Sequence, residues 1–324
     1  MKKLARRVVT VLGVLLVVVG LGFLVASVKA SARLARKYQA HQVDIPVPFP
    51  LRAGDVEGPR LEDIADPQAA ALALAITRGR HLVEARYSCN VCHGADFGGG
   101  VMIDDAAIGS VRGPNITAGE GGRTAGYTIS DWDHIVRHGI KPDGTPAVMP
   151  SDDFLKMTDR ELSDVVAYLT SVPKVNATVP PPSFGPIGKV LLATGKFPIS
   201  AEVVPNHQGK HLEEPPPVKE DAAFGAHLAA ICTGCHRANL AGGPMPFGPP
   251  DWPPAANLTP DASGLGGYTF AEFERAITQG VSKRGQTLRP PMTLMFDTAK
   301  AMTPVERRAL WTYLSSLPAT ATNR

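Results

Sequence analysis

Disulfides are excluded at the outset. The 324-residue chain has four cysteines, and all four fall in two short motifs, Cys89-Asn-Val-Cys92-His93 and Cys232-Thr-Gly-Cys235-His236. Aromatic residues are few, at 6 %, against 32 Gly and 30 Pro. That balance argues against a large sheet and for short helices joined by long loops. Acidic residues are missing from the first 40 positions, which hold eight Lys and Arg. The other 25 basic residues face all 30 acidic ones, so residues 41–324 carry a net charge of −5. The basic balance belongs to the N-terminus alone, and nothing in the body points to a nucleic-acid partner.

Both motifs read C-x-x-C-H, the attachment signature of c-type haem. Two thiols one turn apart reach the two vinyl groups, and the adjacent His gives a nitrogen to iron. Zinc ribbons pair their C-x-x-C units over a short gap, whereas 139 residues separate these. The expected cofactors are therefore two covalently attached haem c groups, bound through Cys89, Cys92, Cys232 and Cys235.

The motifs open an internal repeat, residues 89–173 and 232–318. Pro114-Asn-Ile-Thr117 matches Ala256-Asn-Leu-Thr259, Gly126-Tyr-Thr128 matches Gly267-Tyr-Thr269, and Tyr168-Leu-Thr-Ser-Val-Pro173 matches Tyr313-Leu-Ser-Ser-Leu-Pro318. A repeat of this length means a duplicated domain. Each copy carries two helices with readable starts. Ser130 is the candidate cap of one, Thr269-x-x-Glu272 of its counterpart, and the terminal helices open Thr158-x-x-Glu161 and Thr303-Pro-x-Glu306. A further helix is expected over Ala69–Tyr87.

The second axial ligands are predicted from equal spacing. Met149 lies 56 residues after His93, and Met292 lies 56 after His236, both in proline-bounded loops. The metal ligands are then His93 with Met149 and His236 with Met292; thioether ligation raises the reduction potential. Met102 and Met245 come too soon after their His to reach the opposite face and are read as pocket lining. Met157 and Met302 are read as core. His41, His81, His134, His138, His207, His211 and His227 show no partner across the repeat and are read as surface or capping residues. Asn115 and Asn257 are expected to bond a haem propionate or a loop carbonyl, the carbonyl being favoured, and Tyr168 and Tyr313 either pack on haem or belong to the core.

At the N-terminus, Lys2, Lys3, Arg6 and Arg7 precede 21 uncharged residues, Val8 to Val28. At the helical rise these span roughly 30 Å, a bilayer core. A signal-anchor is favoured over a cleaved signal, whose apolar core is shorter, although Val28-Lys-Ala30 offers a cleavage site. The positive flank places the remainder outside the cytoplasmic membrane, in the periplasm, as a single-pass protein. The expected division is an anchor over 1–30, an extended tether over 31–75, one haem domain over 76–174, a proline-rich connector over 175–220 and a second haem domain over 221–320.

The C-x-x-C-H motifs, Met loops and terminal helices ending Y-L-x-S-x-P together resemble class I c-type cytochromes. Asn257-Leu-Thr-Pro260, followed by Gly264-Leu-Gly-Gly-Tyr-Thr269, is similar to the cytochrome subunits of membrane-bound dehydrogenases. That family commonly carries three haems, and this sequence has two motifs. The resemblance implies an all-α fold of two tandem class I domains, and a non-catalytic electron carrier with redox protein partners: a dehydrogenase, a quinol oxidoreductase or an oxidase. The alternatives are a dihaem peroxidase-like enzyme, which needs an open iron, and a haem-based redox sensor. Acidic residues around the first ligand loop (Asp143, Asp152, Asp153, Asp159, Glu161, Asp164) and basic ones before Met292 (Lys283, Arg284, Arg289) suggest haem edges that face partners of opposite charge.

Overall fold

The computed structural model describes residues 2–56, 60–245 and 252–323. Helix α1, Lys2–Ala35, runs unbroken past the uncharged stretch. Its apolar residues from Val8 to Leu24 face outward, but Ala30 is buried. There α1 packs on α6 (Pro186–Ala193) and α7 (Ser200–Val203) in a small core with Ile140, Leu192 and Ile199. Arg33 closes this junction with an ion pair to Glu202. The expected boundary at residue 30 therefore falls inside a packed helix, because Ala30 and Arg33 belong to the folded body.

The tether wraps the first domain. Val43 exchanges hydrogen bonds with Ser130 Oγ at 3.0 and 3.1 Å, and Ser163 Oγ donates to Pro46 O at 2.6 Å. Ile45 and Phe49 join the first core.

Within that domain α2 (Pro67–Ala85) starts at Asp66, whose side chain caps Ala69 N. It crosses the terminal helix α5, Asp159–Ser171. Gly79 stands at the crossing, where an added Cβ would collide with Asp164 O and lie 2.8 Å from Tyr168 Cβ. Between these helices come α3 (Cys89–His93) and α4 (Ile129–His138). The cap of α4 is Thr128, in a capping box with Asp131, not Ser130. Ser130 lies two residues further on, inside the helix, and holds the tether instead.

One departure from an all-α architecture is a three-stranded antiparallel sheet ordered β1-β2-β3, formed by Gly100–Asp105, Gly109–Gly113 and Ser183–Phe184. Asp105 Oδ1 caps the hairpin by accepting from Ala107 N and Ile108 N, both at 2.8 Å. Glycine permits it: a Cβ on Gly100 or Gly113 would strike the Cys92 carbonyl.

The second domain repeats the helical plan. α8 (Ala222–Leu228) runs through a 3-10 turn into α9 (Thr233–His236), followed by α10 (Phe270–Gln279), α11 (Phe296–Ala301) and α12 (Pro304–Ser316). Gly225 stands where α8 crosses α12, with Tyr313 Cβ 2.6 Å from the position of an added Cβ. The fold is thus mostly helical, in two tandem units.

The connector is bound rather than loose. Arg160 on α5 donates to Glu214 at 2.7 Å, and Asn115 Nδ2 donates to Val175 O at 2.7 Å. It also contains α6, which packs on α1.

Candidate haem-binding sites

The first C-x-x-C-H is α3 itself, whereas in the second Cys232 ends a 3-10 turn and Cys235 and His236 follow on α9. His93 Nδ1 donates to Pro114 O at 2.8 Å, and His236 Nδ1 donates to Ala256 O at 2.7 Å. A carbonyl only accepts, so the proton is fixed on Nδ1 and Nε2 keeps its lone pair. Burial lowers the pKa of both rings, against the raising effect of those carbonyls, and favours the neutral imidazole that iron needs. The carbonyl partners come from the loops read as repeat-equivalent. Those loops are pinned in the same way in both copies: Asn115 Oδ1 accepts from Thr117 N at 2.9 Å, and Asn257 Oδ1 from Thr259 N at 2.8 Å. Their amides donate to Val175 O and Thr320 O, so both asparagines bond loop carbonyls as expected.

These residues fit a covalently attached haem: two closely spaced sulfurs, a neutral imidazole with its free nitrogen fixed, and backbone close by without Cβ atoms. They do not form a four-cysteine zinc site, because each pair sits in its own domain, and no cysteine joins a metal-ligating cluster among the described residues.

Met149 is half-buried and packs against the first core, just before a 3-10 turn over Ser151–Phe154. Ser200 Oγ donates to its carbonyl at 2.7 Å, so α7 steadies that loop. Met292 is half-buried and opens the corresponding 3-10 turn, Met292–Met295. Met157 and Met302 are buried core residues, as read. Met102 is exposed on β1 and Met245 half-buried. Tyr168 packs edge-on to Phe97 and Tyr313 packs against the second core.

Residues 74–169 match the family described as cytochrome c oxidase, cbb3-type, subunit III, and residues 222–318 match cytochrome c. The chain carries two cytochrome c domains. It is similar to the fructose dehydrogenase cytochrome subunit of Gluconobacter japonicus, 26 % identical over 78 % of this chain and 54 % of that protein. It is 38 % identical, over 28 % of its length, to the alcohol dehydrogenase (quinone) cytochrome c subunit of Gluconacetobacter polyoxogenes, and 32 % over 28 % to the gluconate 2-dehydrogenase cytochrome c subunit of Pantoea cypripedii. The chain spans about half the length of the first of these and about a fifth of the other two. Two cytochrome c domains mean two covalently bound haem c groups, on Cys89/Cys92 and Cys232/Cys235.

The domains meet across a buried charge network that the sequence reading missed. His81 on α2 donates to Glu306 on α12 at 2.8 Å, and His227 on α8 donates to Glu161 on α5 at 2.8 Å. Arg86 joins the halves, reaching Glu306 at 2.9 Å and Glu161 at 2.8 Å. Both glutamates are 2 % exposed. Burial alone would raise Glu306; the His81 hydrogen bond and the Arg86 charge outweigh it and hold the carboxyl down to about 2. His81 and His227 are repeat partners after all. Each follows its helix-crossing glycine by two residues, but Gly79 precedes its motif by ten positions and Gly225 by seven. Alignment on the cysteines hides the match.

The contacts continue up to the haem motifs. Ser88, just before Cys89, shares a 2.7 Å hydrogen bond with Thr298 of the second domain. Gly234, inside the second motif, lies against the Asp153 carboxylate of the first, where no Cβ would fit. This takes four of the six acids out of the expected docking face, while Asp143 and Asp152 stay exposed. Asp153 points at the second domain, Glu161 at Arg86 and His227, Asp164 at Arg78 and Asp159 at Arg137. These acids are consumed inside the fold.

Proposed function

We propose that this chain is a membrane-anchored dihaem cytochrome c that passes electrons between redox proteins at the periplasmic face of a bacterial cytoplasmic membrane. The observation that carries the reading is the pair of equivalent sites, His93 and His236, each held by a backbone carbonyl, in domains locked together at their motifs. The haem chemistry is one-electron exchange at iron. The protein holds the imidazoles neutral, and Met149 and Met292 would be the second ligands. With both methionines as ligands no position would be open for peroxide, which favours an electron carrier over a peroxidase-like enzyme.

The names of the relatives point to a dehydrogenase as electron donor, with a quinol oxidoreductase or an oxidase as the other class of partner. The membrane reading rests on α1, whose apolar stretch is exposed along its whole length, and on α6 beside it, which exposes Ile187 and Val190. Its continuation through Ala30 into the folded body supports an anchor that stays attached.

Full-length protein in liposomes, reduced by a dehydrogenase or a quinol, should give up two electrons per chain to a soluble oxidant in stopped-flow traces at the haem bands. It should not turn over hydrogen peroxide. Peroxide turnover with either Met in place, or one electron per chain, overturns the reading.

A further inference from the structure

Five of the histidines read as surface residues converge on one spot in the first domain. His41 comes from the tether, His134 and His138 from α4, and His207 and His211 from the connector. Ring nitrogens of His41, His138 and His211 lie within 4.8 Å of one another.

The hydrogen bonds fix every proton. His41 Nδ1 has His207 O at 3.0 Å and His211 Nδ1 has Leu155 O at 3.2 Å. Carbonyls only accept, so both Nδ1 atoms are protonated and both Nε2 atoms carry lone pairs. His207 Nε2 likewise donates to Ala201 O at 3.0 Å, which leaves its Nδ1 as an acceptor. His138 Nδ1, 3.1 Å from that atom, must be the donor. All three Nε2 lone pairs are then free together, and His138 Nε2 stands 3.3 Å from His211 Nε2.

A carboxylate stands beside two of the three rings. Asp133 Oδ2 lies 3.7 Å from His138 Nε2 and 3.9 Å from His41 Nε2. It is fully buried and accepts no hydrogen bond, whereas Oδ1 is held by Arg137. Arg137 also pairs with Asp159, so the charged groups around the spot sum to −1 before any ion. Unpartnered lone pairs and a bare carboxylate oxygen are costly to bury unless something positive sits among them. A single proton would relieve one pair of atoms and leave the others facing each other.

We propose that His41, His138, His211 and Asp133 bind a structural zinc ion that fastens the tether and the connector to the first domain. Zinc bonds of about 2.0–2.1 Å place tetrahedral ligand atoms about 3.3 Å apart, the separation of the two closest Nε2 atoms. Each imidazole donates its other N–H to an acceptor, the arrangement that orients histidine on metals. Three imidazoles and one carboxylate make a closed four-ligand set, which is structural and not catalytic.

The test uses the full chain with both haems, purified without a nickel column. Elemental analysis should find one zinc for every two irons. After removal of zinc by a chelator, the haem spectrum should persist, melting should fall, and proteolysis within residues 205–220 should quicken; added zinc should reverse both changes. His211→Ala and Asp133→Asn should each keep two haems and weaken zinc binding by about tenfold or more, since even the loss of an outer-shell partner costs about 10–100-fold. If melting and cleavage of the stripped wild type ignore added zinc, the site is refuted. Equal zinc binding by wild type and both variants places the ion elsewhere and refutes it too.

Discussion

Replacing Glu306 by Gln removes one charge from the domain interface and little volume. In the folded protein this carboxyl sits at about 2, against an ordinary value of 4.5. At about 1.36 kcal/mol per pH unit that difference is worth roughly 3 kcal/mol. The side chain is 2 % exposed, so solvent screens little of it. Arg86 keeps Glu161 as a partner in the variant, so no guanidinium is stranded. The sign follows from a depressed acid. The stabilisation is fully present above about pH 4.5 and drains away as pH falls towards 2. Glu306→Gln should therefore lower stability by about 3 kcal/mol at pH 7, and the gap to wild type should narrow steadily below pH 4.5. Urea unfolding followed by circular dichroism at several pH values measures both. With slopes of about 1–3 kcal/mol per molar urea, the midpoint should move by roughly 1–3 M at pH 7. A midpoint shift of the same size at pH 7 and pH 3 would refute the ionic account of this interface, and no shift at all would refute the contact.

Three further outcomes are expected. Gly79→Ala forces a methyl into the Asp164 carbonyl where α2 crosses α5 and should cost about 1–3 kcal/mol or more; an unchanged melting temperature would deny the close crossing. Met149→Ala and Met292→Ala should each remove about half of the sulfur-to-iron charge-transfer band of the oxidised protein and lower one of the two potentials; a full-strength band in either variant removes that residue from the ligand set. Replacing residues 1–28 by a cleavable secretory signal should release a haem-loaded soluble protein that keeps the Arg33–Glu202 pair, whereas removal through residue 36 should lower the melting temperature as well; membrane sedimentation of the first form would assign the attachment to another surface.

Much of the fold was legible because the relevant signals are local. Thr158-x-x-Glu161, Thr269-x-x-Glu272 and Thr303-x-x-Glu306 all form capping boxes, since each needs only its own turn of chain. C-x-x-C-H is likewise a one-turn device. Thr128 was passed over because its box partner is Asp131 and not Glu or Gln. The hairpin of β1 and β2 was missed because its sequence lacks apolar alternation and is permitted by contacts of Gly100 and Gly113 with the Cys92 carbonyl. The histidines were misread for a different reason. Their partners lie 66 to 225 positions away in the interface, and in the imidazole cluster on three separate segments. No spacing rule within one element reports such contacts.

The interface changes what duplication means for this chain. Two domains joined by a free linker would exchange electrons at a rate set by their tumbling. Here the N3 glutamate of each terminal helix accepts a hydrogen bond from a histidine on the other domain's first helix, and Arg86 spans both. Each glutamate thus caps its own helix and binds the neighbouring domain through the same carboxylate. Loss of Arg86 would leave two buried glutamates short of a counter-ion, whereas loss of Glu306 leaves Arg86 its pair with Glu161. The same docking sets Ser88 against Thr298 and Gly234 against Asp153, so each attachment motif touches the segment that follows the other domain's Met. The two haem sites are therefore held at a fixed separation, as one relay. Because Asp153, Asp159, Glu161 and Asp164 form that docking and its supports, they cannot also steer a partner. The exposed charges left beside the ligand loops include Asp143 and Asp152 at the first and Arg284 and Arg289 at the second, so any steering of a partner by charge must work through groups such as these.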